Sequence, residues 1–241
     1  MLRHKGFRRN FKHNLLLAIL FSFVAGSINV SGLILFNVFT TNLTGHVGEF
    51  ALSIYSNQWM DWLKVLLWLI SFLAGSFSAA LLTNFLDKLY PKISYALPVI
   101  IEIVVLLAVI TGPDYFPESF NDSVQLLLLF FSMGLQNGIV SVVSGNIVRT
   151  THLTGMVTDF GIGLSELILQ DKRGKKTREK VTLAGTIIFF FLLGGVVSAY
   201  FTHTFHIHFL YFPVAILLFI LSFDFLRISY LLLKRKSRGF K

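Results

Sequence analysis

The sequence predicts an all-α polytopic membrane protein. Six transmembrane helices form two inverted three-helix repeats, each with a short helix after a Thr-Gly break. Three observations carry this. The 241-residue chain is 54% hydrophobic with a mean hydropathy of +0.72, more apolar than a soluble domain of this size can hide. Its lysines and arginines cluster beside the apolar runs. One twelve-residue element occurs twice, TTNLTGHVGEFA from position 40 and TTHLTGMVTDFG from position 150. Seven positions match, and Glu49 against Asp159 keeps the charge.

Spans are expected near 15–39, 62–86, 94–112, 123–148, 181–204 and 207–233, each close to the roughly 20 apolar residues that cross a bilayer. Direction follows from the bias of basic residues to the cytoplasmic side. Arg3, Lys5, Arg8, Arg9 and Lys12 place the N-terminus inside. Lys88 and Lys92, the run from Lys172 and Arg173 through Lys175, Lys176, Arg178 and Lys180, and the tail KRKSRGFK mark the later inside segments. Glu49 and Asp61, then Asp114, Glu118 and Asp122, then the His203 to His208 stretch fall outside, where Lys64 is the one basic residue nearby. The first run is too long for a signal-peptide core and has no clear cleavage site, so it reads as a retained span. The chain thus divides into a cytoplasmic basic N-terminus (1–14), a first repeat (15–112), an external acidic loop (113–122), a second repeat (123–233) with a cytoplasmic basic loop at 171–180, and a cytoplasmic tail (234–241).

The net charge of +9 is read as topology. No basic patch has an aromatic platform, so no nucleic-acid partner is expected. The partners expected are membrane lipid and a small-molecule solute. With no cysteine, disulfides, thiolate metal sites and cysteine nucleophiles are excluded. No cofactor or metal is expected. HTFHIH (203–208) could bind metal, but no acidic partner is near in sequence, and an interfacial loop is the plainer reading.

The halves match beyond the Thr-Gly element. LAGSFSA (73–79) aligns with LGGVVSA (193–199), and LPV (97–99) with FPV (212–214). A three-span unit is odd, so its second copy crosses the membrane in the opposite sense, the layout of many secondary transporters. The two elements then approach from opposite faces and are expected to meet near the bundle centre, beside Asn29 and Asn137.

The candidate substrate-binding residues are Asn29, Thr41, Thr44, Gly45, Glu49, Gln136, Asn137, Thr151, Thr154, Gly155 and Asp159. Amides in hydrocarbon need partners, so Asn29, Gln136 and Asn137 should face a wet cavity or serve as glue between helices. Thr44 and Thr154 suit helix caps. A helix start with free N–H groups can hold a polar or anionic group, or simply begin an interfacial helix. Apolar stripes follow, Val47, Phe50, Ala51, Ile54 and Tyr55 in one copy and Met156, Phe160, Leu164, Leu167 and Ile168 in the other. Glu49 and Asp159 would repel an anion, which points to a zwitterion or neutral polar solute. Glu102, in PVIIEIVVLL, is a lone carboxyl in mid-span and a proton-coupling candidate. Counted from the prolines, its counterpart is Leu217. Asp224 with Arg227 suggests an ion pair along one helix face.

Thr44-Gly45, Gly134-Leu135-Gln136-Asn137 and Thr150 to Gly155 resemble the signatures of the YoaK-like family, six-span bacterial membrane proteins of unknown function. The resemblance covers nearly all six spans. It implies the bacterial cytoplasmic membrane and a permease role. This chain departs from it at His46, where the family has Asn.

The function expected is transport of a small polar solute by rocking one half against the other. The alternative is a membrane accessory or interaction protein. The small-residue faces Ala74/Ser78 and Gly195/Ala199 suit helix packing and leave a homodimer as a possible assembly. No nucleophile–base pair is visible and no catalytic motif is present, so no enzyme is expected.

Overall fold

The computed structural model describes residues 10–90, 93–169 and 174–237, with backbone alone at 224 and 226–237. Arg3, Lys5, Arg8, Arg9, Lys92, Lys172, Arg173, residues 238–241 and the Asp224–Arg227 pairing lie outside what is described. Eight α-helices follow one another: α1 (Phe11–Phe36), α2 (Leu43–Tyr55), α3 (Trp59–Leu89), α4 (Ala96–Tyr115), α5 (Asp122–Ser144), α6 (Leu153–Leu169), α7 (Lys175–Phe205) and α8 (Tyr211–Ser237). A 3-10 turn, His206–Leu210, joins the last two. No strand occurs among the described residues. Among the described residues five segments are long and apolar enough to cross a membrane, and the fifth, Lys175–Phe223, takes in α7, the turn and the start of α8.

The first and fourth predicted spans ran too far. α1 stops at Phe36 and α5 at Ser144 because Asn37 (φ 57°) and Gly145 (φ 66°) adopt the left-handed conformation that closes a helix. The chain then turns back along the helix it has left.

Two helix pairs build the core, α1 with α7 and α3 with α5. In each, glycines let main chains touch. Gly26 faces the Phe191 carbonyl and Gly194 the Phe23 carbonyl; Gly134 faces the Phe72 carbonyl and Gly75 the Phe131 carbonyl. A Cβ at any of the four would collide with backbone. A serine beside a glycine fastens each crossing: Ser27 Oγ donates to the Gly194 carbonyl (3.2 Å) and Ser76 Oγ to the Gly134 carbonyl (3.1 Å). The glycine packing thus occurs twice, with α5 in the role of α1 and α3 in the role of α7, whereas the serine donor sits on α1 in one crossing and on α3 in the other. It pairs Gly75 with Gly194, one residue away from the alignment of LAGSFSA with LGGVVSA. Gly195 packs inside the bundle against Val30 of α1, so it is not part of an outer face, whereas Ala74 is exposed.

The short helices lie on α3 and α7. In α2 the apolar stripe points outward, with Val47, Ile54 and Tyr55 exposed while His46 and Ser53 are buried. In α6, Leu164 and Ile168 are exposed and Met156 is buried. In α2, polar residues inside and apolar residues outside is the amphipathicity suited to hydrocarbon rather than water.

Candidate functional site

The return loops bring the Thr-Gly elements inward. Asn29 Oδ1 accepts the Thr41 backbone N–H at 2.9 Å, and Gly32 lies against Thr40 and the Val38 carbonyl. Asn29 precedes the end of α1 by two helical turns, so the loop descends about 10 Å before α2 begins. In the second half, Gln136 Nε2 donates to the Phe21 carbonyl (2.9 Å) and to Thr150 Oγ1 (3.4 Å). That ties the second loop to α5 and α1 at a similar distance from the end of α5. Both short helices therefore start inside the bundle, below the ends of the helices that lead into them.

Their starts share one cavity of about 510 Å³. Asn29 and Asn137, Thr41 and Thr151, Thr44 and Thr154, Leu43 and Leu153, and Phe72 and Phe191 line it as pairs, one member from each half. The structure thus brings together six of the eleven candidate residues. Gln136 is buried behind the wall as a cross-link. Glu49 opens instead onto a separate cleft with Ser53, Asp61, Trp68 and Asp122, and its Oε2 lies 2.8 Å from His46 Nδ1. Asp159 is held by Lys180 at 3.0 Å and lines, with Gly155, an adjoining cleft that shares Arg149, His152 and Thr154 with the cavity. Glu102 is fully buried in α4, and neither oxygen has a hydrogen-bond partner among the described residues; it lines none of these cavities.

Thr44 and Thr154 are not the caps. Asn42 caps α2, its Oδ1 accepting the Gly45 N–H (3.2 Å). His152 holds the corresponding place before α6, its carbonyl accepting from Met156 N–H (3.2 Å). Each threonine is the second residue of its helix, two positions past the one that can fold its side chain back onto the first turn. The glycines follow from this: a Cβ at Gly45 would strike the Asn42 side chain, and one at Gly155 the His152 ring.

Among the lining residues that the sequence reading did not place in the site are Arg149 and His152. Counting back from the Thr-Gly repeat places Arg149 opposite Phe39 and His152 opposite Asn42, a mismatch in charge that was the available signal. Asn137 also differs from Asn29, because its Oδ1 is buried without a partner. The second loop is longer, eight residues (145–152) against six (37–42), and Thr151 does not make the bond that Thr41 makes.

Between the cavity wall at Phe39 and the cleft of Glu49 lies an aromatic plug. His46 is buried, with Nε2 2.7 Å from the Phe39 carbonyl. Its ring meets Trp68 and Phe130 edge-on, with centroids at 5.4 and 5.3 Å, and those two stack at 5.6 Å.

Among known proteins, the model of the family described as "Protein of unknown function (DUF1275)" matches residues 17–223. The chain belongs to the DUF1275 family. No curated protein and no solved structure matches it. In this DUF1275 chain His46 belongs to the plug rather than to the cavity wall.

Proposed function

We propose that this chain is a six-span transporter of the bacterial cytoplasmic membrane, YoaK-like, that carries a small polar solute by alternating access. The observation carrying this reading is the cavity in which both Thr-Gly elements meet. The sixth span is supported by the break at His206 (φ 48°) and by the packing of α8 back onto α4 and α1. Inversion is supported by the two glycine crossings with exchanged helix roles. Both termini and 171–180 face the cytoplasm in this reading.

The packing suggests which bodies move. α1, α6 and α7 form one group and α2, α3 and α5 the other, so each contains helices from both halves. Asn29, Thr154 and Phe191 lie on one side of the cavity, with Asn137, Thr44 and Phe72 opposite. Tilting one group on the other opens the cavity to each face in turn. Here it adjoins the cleft of Arg149 and Asp159 on the cytoplasmic side, and the His46 plug closes the other.

The absence of cysteine permits a direct test. Single Thr44→Cys and Thr154→Cys variants are treated in oriented membranes with a membrane-impermeant thiol reagent. Both are expected to react from the cytoplasmic side, and Ser53→Cys from the outside. Thr44→Cys reacting only from outside while Thr154→Cys reacts only from inside would mean two separate surface turns, and would refute the shared site.

A further inference from the structure

We infer that the solute held between the two short helices is a small, singly charged oxyanion such as a short carboxylate, gripped by the Asn29 amide and Arg149. This rests on the transport reading and gives it a substrate class. The paired polar residues of the wall are neutral. The pairing fails at two places, where Phe39 is matched by Arg149 and Asn42 by His152, and the guanidinium of Arg149 brings the wall its positive charge. Arg149 makes no ion pair among the described residues. No described carboxylate lines the cavity. Glu49 is turned to His46 across the plug, and Asp159, in the adjoining cleft, is engaged by Lys180.

Asn29 points to the same chemistry independently. It is 6% exposed, and the bond its Oδ1 accepts from Thr41 fixes which way the amide faces. The Nδ2 group is left at the cavity wall with no acceptor among the described residues. An unpaired amide donor facing the cavity is placed to hydrogen-bond an oxyanion held there. No bond fixes the Asn137 amide, so its NH2 can turn to the same place. The free N–H groups of Leu43 and Thr44, and of Leu153, Thr154 and Gly155, add donors of the same sign at two converging helix starts. One guanidinium matches one negative charge. Phe72 and Phe191 close the remainder with apolar surface, which suits a short hydrocarbon body and penalises a heavily hydrated divalent anion.

The test uses the purified full-length chain in lipid nanodiscs. Melting temperature and equilibrium binding are measured with sodium acetate, lactate and nitrate, and with acetamide, alanine and sulfate, at constant ionic strength. At least one monoanion is expected to bind and raise the melting temperature, with the other three probes inert. R149Q should weaken binding about tenfold or more, the worth of a charge-assisted hydrogen bond, and R149K less. Asn29→Asp keeps the acceptor for Thr41 but replaces the donor with a charged oxygen. It should abolish binding while the ligand-free protein melts near wild type. Equal stabilisation by acetamide or alanine, indifference of the anion effect to R149Q and Asn29→Asp, or no binding of any monoanion would each overturn the inference. The thiol-labelling result stands apart from all of these, so a neutral solute in a cavity reached from one side would leave the transport reading in place.

Discussion

Glu102 shows what a single residue can reveal through its symmetry mate. Pro98 and Pro213 each occupy the third position of their helix, which sets Glu102 against Leu217, and both are fully buried. Leucine therefore fits the equivalent environment, and the carboxyl is kept at the cost of burying two unpartnered oxygens. Glu102→Leu is expected to raise the melting temperature, by the equivalent of about 2 kcal/mol of relieved desolvation. Glu102→Leu and Glu102→Gln should both abolish gradient-driven uptake in proteoliposomes while leaving solute binding intact. Normal coupled uptake by Glu102→Gln would end the proton-coupling idea. Glu102 was legible in the sequence because a charge in an apolar run needs no knowledge of neighbours. His46 was not, because its setting comes from Trp68 on α3 and Phe130 on α5. His46→Ala should cost about 3 kcal/mol by leaving the Phe39 carbonyl unpaired and opening a void beside two rings. It should also let the membrane-impermeant thiol reagent reach the cavity from outside, read as outside labelling of Thr44→Cys in the His46→Ala background.

At the level of elements, the helices were legible but not how they end or meet. Hydropathy located the long helices within a few residues, and the repeat located both short ones. What it could not carry was the left-handed Asn37 and Gly145, which turn an apparent continuation of the helix into a loop that folds back on it, since Val38 and Phe39 are as apolar as the helix before them. The one-residue shift of Gly75 onto Gly194 was hidden because two adjacent glycines, Gly194 and Gly195, fit the pattern equally; only the Phe23 carbonyl distinguishes them. Gly26→Val and Gly134→Val should each destabilise by more than about 2 kcal/mol, because the Cβ meets main chain that cannot move aside, measured as loss of folded protein on detergent titration. Gly155→Val is a different case. Its Cβ meets a His152 ring that can swing into the cavity, so solute binding should fall more than melting temperature does, with Ala199→Val as the control. Equal losses at 155 and 199 would reduce the second Thr-Gly element to a structural turn.

For the whole molecule, topology is the first thing to measure. Reporter fusions within 171–180 should report the cytoplasm and those within 116–121 the outside; the reverse at 171–180 would undo the inverted arrangement. The crossing of helices between halves has a further consequence, for biogenesis. Ser27 and the Gly194 carbonyl it holds are 167 residues apart. At about 5–20 residues per second the ribosome needs roughly ten to thirty seconds to deliver the second after the first. Throughout that interval α1 sits in the bilayer with its glycine groove unfilled, and α3 waits likewise for α5. The nascent first half is thus an incomplete protein, open to helices of other chains and to membrane quality control, rather than a finished domain. Cutting the gene within 116–121 should yield two fragments that are each degraded when made alone and that accumulate together when co-expressed, as two strangers whose grooves were made for one another.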